Sequence, residues 1–368
     1  MSQEIKFCIT QDKTRLAYAK IGQGPPLVKG ANWMSHLEYD WLSPVWRPWL
    51  EELSRFHTLY RYDERGCGLS DWDVTDVSLE AWVRDLETVV DAADLERFPL
   101  FGMSQGGPIA IAYAARHPER VTRLVLYGTF VRGWSQRDLT LAELEEVEAY
   151  LKLMKVGWGK DNPAYRQVFT SFFIPEGTPE QIRWFTDLMP TSCSAESAVR
   201  MQEVFNKIDV QEIASTLDVP TMVLHAKEDT ALPFEEGRIT AALIPGAQFV
   251  PLEGKNHFML STDPDWPRLW QEIHRFLGTV AESWSPSPQM VTTQARQDTL
   301  FAELTARERE VFRWLAKGYQ NEEIAQTLVL SPKTVRNYVS NIYAKLQVNN
   351  RSEAIIMARR TGFVDDAH

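Results

Sequence analysis

The 368 residues are 44 % apolar and 24 % charged, an ordinary folded composition over a length that suits two domains, so wholesale disorder and collagen-like structure are excluded. A net charge of −11 argues against a protein that coats nucleic acid through bulk positive charge. No apolar run reaches the roughly 18 residues of a membrane span, the opening residues lack a signal-peptide layout, and Cys8, Cys67 and Cys193 show neither a disulfide framework nor metal spacing. The expectation is a cytoplasmic protein with no membrane partner, metal or cofactor.

In chain order, Ile5–Ile9 and Leu16–Ala19 flank the turn Gln11-Asp12-Lys13 and predict an opening hairpin. Short apolar runs follow at Pro26–Val28, Thr58–Tyr60, Pro99–Phe101, Leu124–Leu126, Met222–Leu224 and Phe249–Leu252, with helical patterns between most of them. Alternating strand and helix signals predict an α/β fold around a mainly parallel, buried sheet. From about Phe130 to Ile213 the strand signals stop and amphipathic helices take over, as in a lid inserted into such a sheet. The segment Ser283–Gln289 with Thr292-Thr293-Gln294 has Ser, Thr and Pro without apolar periodicity and reads as a linker. The expected division is residues 1–280, with the lid at about 130–213, a linker at 281–302 and a second domain at 303–368.

Charge divides at the same place. Residues 1–280 hold 28 Lys+Arg against 40 Asp+Glu, whereas residues 303–368 hold 10 against 8. Within the latter, Ile324–Ser352 contains Lys333, Arg336, Lys345 and Arg351 and no acid. Any nucleic-acid contact is expected there.

The run Gly102-Met103-Ser104-Gln105-Gly106-Gly107 follows a predicted strand and precedes a helical run from Ile109 to Ala115. In a strand–turn–helix setting, G-x-S-x-G raises the serine on a sharp turn whose neighbours are too close for side chains. The helix start offers free N–H groups to a developing oxyanion. A serine needs a base, and the base needs an acid to fix its tautomer. Of seven histidines, His257, in the loop after the last strand, is the strongest candidate; His225, ending a strand, is as readily structural. Asp229, after the preceding strand, supplies the acid in the order Ser, Asp, His.

These motifs, with Asp63–Ser70 and Asp229–Pro233, resemble the α/β-hydrolase fold family across most of residues 1–280. The resemblance implies Ser104 as nucleophile, His257 as base and Asp229 as orienting acid, with the backbone N–H groups of Gln105 and Ala31 as oxyanion hole. The family's His-Gly pair is here Lys29-Gly30. Either that position is structural, or Lys29 or Asn32 faces the pocket and anchors a ligand oxygen; Lys29, Asn32, Trp33 and Met103 are candidate ligand contacts. Thirteen tryptophans, among them Trp33, Trp41, Trp46, Trp49, Trp72, Trp134, Trp158 and Trp184, suggest a large apolar lining, although core packing explains most of them equally well.

Residues 304–361 read as four short helices. Thr305 and Glu308 are spaced as a capping box before Val311, Trp314 and Leu315, and Gly318 ends that helix. Asn321 starts the second, Val329–Ser331 makes a turn, and Ser331 with Pro332 begins the third. At about 100° per residue, Val335, Val339, Ile342 and Leu346 fall between about 180° and 240° from Lys333, one buried stripe. The opposite face carries Lys333, Thr334, Arg336, Asn337, Ser340, Asn341 and Lys345 and no acid, a face suited to phosphates and base edges.

This segment resembles the LuxR-type helix-turn-helix in Leu304–Val311, Glu323-Ile324-Ala325, Ser331–Val335, Lys345-Leu346 and Asn350–Ala354. The resemblance implies a small all-α domain in which Arg336, Asn337 and Ser340 reach base edges while Lys333, Thr334, Asn341 and Lys345 hold phosphates. A last helix with Ala354, Ile355 and Met357 would make a dimer contact, and two-fold dimers read inverted-repeat DNA. Two functions fit the pair of domains. One is a homodimeric, ligand-responsive transcriptional regulator that binds an apolar or acyl small molecule (an ester, lactone or amide) at the serine, with slow hydrolysis compatible. The other is an active serine hydrolase with an appended DNA-binding domain.

Overall fold

Strands form where β-branched and aromatic runs can be buried on both faces of a sheet. In a computed structural model of the chain, the described residues form eight strands: β1 (Glu4–Ile9), β2 (Arg15–Gly22), β3 (Pro26–Lys29), β4 (Thr58–Tyr62), β5 (Phe98–Met103), β6 (Val121–Tyr127), β7 (Thr221–Ala226) and β8 (Gln248–Leu252). The structure describes residues 2–279 except 138, 159, 161 and 162, and residues 304–358 except 318, 329, 347, 349–353 and 355–357. The predicted linker 281–302, Gly318, Val329, Asn350–Glu353, Ile355 and Met357 lie outside the described residues. The chain divides into two units, Met1–Trp284 and Ser285–His368.

In the first unit the sheet order is β1-β2-β4-β3-β5-β6-β7-β8. The predicted hairpin pairs β1 with β2, with Cys8 opposite Leu16, and β2 runs antiparallel to β4. Every pairing from β4 through β3 to β8 is parallel. Central strands β5 and β7 are buried almost throughout, so their apolar runs show no alternation. Crossover helices cover the faces: α1 (Leu37–Leu42), α2 (Trp46–Leu53), α3 (Leu79–Ala92) and α4 (Gly106–Arg116). Ser78 caps α3, its hydroxyl accepting from Ala81 N.

Between β6 and β7 no described segment adds to the sheet. Instead come α5 (Leu141–Gly157), α6 (Pro163–Phe173), α7 (Pro179–Ser192), α8 (Ala195–Phe205) and α9 (Gln211–Ser215), the expected lid. Thr140 and Thr178 start α5 and α7 with complete capping boxes, which satisfy amide groups that a helix cannot pair internally. Helices α10 (Phe234–Leu243) and α11 (Trp266–Leu277) complete the unit. No described helix is long and apolar enough to cross a membrane.

In the second unit, α12 (Ala306–Ala316), α13 (Asn321–Thr327) and α14 (Pro332–Leu346) surround a small core. Val335, Val339, Ile342 and Leu346 are all buried in it, beside Val311, Phe312, Leu315 and Ile324. Ala354, expected at a dimer contact, is fully buried in the same core; its small side chain packs within its own domain. The capping box is present, Glu308 N donating to Thr305 Oγ1 and Thr305 N to Glu308 Oε2.

Candidate active site and nucleic-acid interface

Ser104 sits between the end of β5 and the start of α4 with φ +52°, a left-handed conformation that costs a non-glycine residue strain. Its backbone is held on both sides. The amide donates to Tyr127 O at 3.0 Å, and the carbonyl accepts from Thr129 Oγ1 at 2.7 Å and Gly107 N at 3.0 Å. The flanking glycines have a steric cause: a Cβ on Gly102 would stand 2.8 Å from Ala110 Cβ, and one on Gly106 only 2.3 Å from the Ala31 carbonyl oxygen.

The loop after β8 brings His257 to this turn. His257 Nε2 is 2.9 Å from Ser104 Oγ, and Nδ1 is 2.7 Å from Asp229 Oδ2. An ionised carboxylate only accepts, so Nδ1 carries the proton and Nε2 is free to accept from the serine hydroxyl. Asp229 follows β7; its Oδ1 accepts from Ala231 N and Leu232 N, both at 2.9 Å. Burial pushes the Asp229 carboxyl up, but His257 and these amides outweigh it and hold it below the ordinary aspartate value. His225 Nε2 lies 3.1 Å from Leu232 O and 3.4 Å from Asp229 Oδ2, so this fully buried histidine braces the acid's loop from behind. The relay can withdraw the serine proton as Oγ attacks a carbonyl carbon.

A cavity of about 590 Å³ opens on Ser104, Gln105 and His257. Its walls come chiefly from the lid, with Tyr150 and Leu153 of α5, Phe172 and Phe173 of α6 and Phe205 of α8. These lid positions are missed by sequence reasoning. The one signal available is their spacing along helices whose outer faces also carry exposed apolar residues, such as Leu141 and Leu144, which blurs the buried stripe.

Of the four candidate ligand contacts, only Trp33 lines the cavity. Met103 is fully buried within the sheet. Lys29 turns back onto Asn32, donating from Nζ to Asn32 Oδ1 and to Gly30 O, while Asn32 Nδ2 donates to Trp33 O at 3.1 Å. Burial holds the Lys29 amine below the ordinary lysine range, partly offset by Asp40, Asp63 and Glu64. Lys29 therefore belongs to a buried polar cluster beneath the loop, the structural alternative for this position. The tryptophan lining is likewise corrected: of the eight named, Trp33 and Trp134 border the cavity. Trp49 instead packs edge-on against Tyr127, Trp266 and Trp270 in the core, and Trp184 packs tilted against Tyr39.

Gln105 has a second role that sequence does not reveal. Its side-chain Oε1 accepts from Trp33 N at 3.0 Å and its Nε2 donates to Glu64 Oε1 at 2.9 Å. The side chain thereby fixes the loop carrying Ala31 against the start of α4. Ala31 is buried, its carbonyl oxygen facing Gly106.

In the second unit, Lys333, Arg336, Asn337, Ser340 and Asn341 are exposed on α14 and Thr334 is half-buried. Thr334 N donates to Ser331 Oγ at 3.1 Å, capping the helix. The face has no acid of its own, yet neighbouring helices supply two: Lys345 Nζ is 2.7 Å from Glu308 Oε2, and Arg336 Nη1 is 4.0 Å from Glu322 Oε1. Lys345 is thus partly engaged inside its domain.

Residues 302–358 match the model of bacterial regulatory proteins of the luxR family, and residues 36–174 match that of the alpha/beta hydrolase fold. Among curated relatives, a non-heme chloroperoxidase of Streptomyces lividans is 27 % identical over 268 residues, 70 % of this chain and 94 % of that protein. A pyrrolizixenacetamide deacetylase of Xenorhabdus hominickii is 25 % identical over 245 residues, 65 % of this chain and 86 % of that protein. An esterase from a Rhodococcus species superposes with a TM-score of 0.61 at 24 % identity, covering 75 % of this chain and 99 % of that one. The chain therefore joins an N-terminal α/β-hydrolase-fold domain to a C-terminal LuxR-type helix-turn-helix DNA-binding domain.

Proposed function

We propose that the chain is a ligand-responsive transcriptional regulator whose hydrolase-fold domain takes an apolar or acyl small molecule with an ester, lactone or amide carbonyl at Ser104. The observation that carries this reading is the cavity: its walls are mainly aromatic and aliphatic, and Ser104 and His257 supply reactive polar groups at its floor. In such a site Ser104 Oγ attacks the carbonyl carbon while His257 Nε2 takes its proton. The N–H groups of Gln105 and Ala31 receive the oxyanion, and Asp229 holds the imidazolium. Collapse of the tetrahedral adduct expels the alcohol or amine, protonated by His257, and water then releases the acid by the same route. A slow second half of this cycle keeps the site occupied long enough to bias DNA binding by a homodimer on an inverted-repeat operator. Arg336, Asn337 and Ser340 face base edges there, and Lys333, Thr334, Asn341 and Lys345 face phosphates.

The second reading, a serine hydrolase carrying a DNA-binding domain, is favoured by the completeness of the Ser104–His257–Asp229 relay. Hydrolysis of a ladder of activated aryl esters, from acetyl to long acyl, by the full chain and by Ser104→Ala separates the two. Burst release of one aryl group per chain followed by slow turnover, absent in Ser104→Ala, is the expected outcome. Sustained rapid turnover favours the enzyme reading, and identical behaviour of both proteins removes Ser104 from the account.

A further inference from the structure

Away from its floor the cavity wall carries several polar side chains, Glu146 and Thr230 among them, and one pair of side-chain amides. On α8, Gln202 and Asn206 are four apart on one helix face, and both border the cavity. Gln202 Nε2 donates to Asn206 Oδ1 at 2.9 Å. That bond occupies one end of each amide. Among the described residues neither Gln202 Oε1 nor Asn206 Nδ2 has a hydrogen-bond partner, although Asn206 is only 8 % exposed. An amide donor and an amide acceptor left open on a cavity wall are available to a ligand there. Thr230, also on the cavity wall, differs: its Oγ1 is within hydrogen-bonding distance of Phe172 O and Lys255 O.

The pair is also fixed in place. Asn206 ends α8, and its carbonyl oxygen accepts from Ser135 N at 2.9 Å, which ties the helix end to the segment after β6. Phe205, between the two amides in sequence, meets Trp33 edge-on at 5.9 Å, and Trp33 is itself held by Gln105. A rigid pair with one open acceptor and one open donor is complementary to a group that offers one of each.

We propose that Gln202 and Asn206 form a second subsite that reads an amide within the ligand's chain: its carbonyl oxygen accepts from Asn206 Nδ2 and its N–H donates to Gln202 Oε1. The ligand class is then an N-acylated carbonyl compound rather than a plain fatty acyl ester. This inference rests on the proposed reading of the cavity as the ligand site.

The test uses the full chain and two kinds of probe of equal length, p-nitrophenyl octanoate and p-nitrophenyl esters in which one amide replaces two chain carbons, stepped along the chain from the N-butanoyl-β-alanyl ester outward. The corresponding methyl esters are titrated calorimetrically into Ser104→Ala, which separates binding from chemistry. One amide position is expected to be preferred over octanoate by about tenfold in kcat/KM and in affinity, the worth of a hydrogen-bonded amide over an apolar link. Asn206→Leu and Gln202→Leu should abolish that preference, and the near-isosteric Asn206→Asp, which loses the donor, should abolish it without a large volume change. Equal handling of octanoate and every amide probe overturns the subsite but leaves the cavity reading intact. Binding of no probe to Ser104→Ala overturns both.

Discussion

Ser104 is presented to the cavity by backbone strain that its neighbours hold in place, and the residues beneath it matter as much as the relay beside it. Glu64 is fully buried and its carboxyl accepts from Gln105, the residue that links α4 to the Ala31–Trp33 loop. Burial lifts this carboxyl to about 8, outweighing the Gln105 hydrogen bond and the Arg65 charge that pull it down. The folded state therefore favours the protonated form. Its contribution is fully present below the unfolded value near 4.5 and is lost as pH rises through about 8. Glu64→Gln, which keeps an acceptor for Gln105, should match the wild type in unfolding free energy at about pH 4 and exceed it at about pH 9. Parallel stability curves across that range would show that Glu64 is already ionised in the folded protein.

Residue chemistry and residue position are unequally legible in the sequence. Ser104, Asp229 and His257 can be named because each follows a strand whose order in the sheet dictates where its loop emerges, and the structure brings the three together. Lys29, Asn32 and Met103 sit next to those elements too, yet neighbourhood in sequence does not say which side of a loop a side chain leaves. Lys29 turns from the cavity onto Asn32 Oδ1 and Gly30 O; Asp40, Asp63 and Glu64, which act on its charge, come from segments that a linear reading does not connect to it.

At the scale of elements, strands are the most legible parts because parallel buried strands are short apolar runs. The lid is legible as helices but not as a surface. Which of its faces borders the cavity depends on how α5, α6 and α8 pack on one another, and Gln202 and Asn206 emerge as site residues only from that packing. The helix α14 shows the reverse: its angular pattern locates both the buried stripe and the polar face, and only the acids contributed by α12 and α13 escape it. Those acids change what each cation is expected to do. Arg336→Ala should cost about 1–3 kcal/mol of operator affinity and relax one base position. Lys333→Ala should weaken all sequences alike and lower the salt slope by about one. Lys345→Ala should have the smaller effect on that slope, because its ammonium already pairs with Glu308. Slope measurements on selected and scrambled duplexes check all three; a full unit lost in Lys345→Ala would mean the Glu308 pair opens on DNA.

At the scale of the whole molecule, an acidic hydrolase-fold domain and a mildly basic DNA-binding domain share one chain. The relatives of the first domain include a chloroperoxidase and a deacetylase by name, so likeness in fold does not decide the chemistry. In the proposed regulator, the pairing adds a second readout for occupancy of Ser104. A regulator requires that occupancy and DNA affinity be coupled, and such coupling is reciprocal and typically about 1–3 kcal/mol.

The most direct measurement is DNA affinity of the full chain before and after stoichiometric labelling of Ser104 with an alkyl fluorophosphonate, on duplexes this protein selects from a random pool. Labelling occupies the cavity permanently and removes turnover from the question. The expected change in dissociation constant is about 5- to 150-fold, in either direction, with no change when Ser104→Ala is treated in the same way. Complete labelling at Ser104 with unaltered DNA affinity would contradict it, leaving a hydrolase fold and a DNA-binding domain that share a chain without sharing a signal.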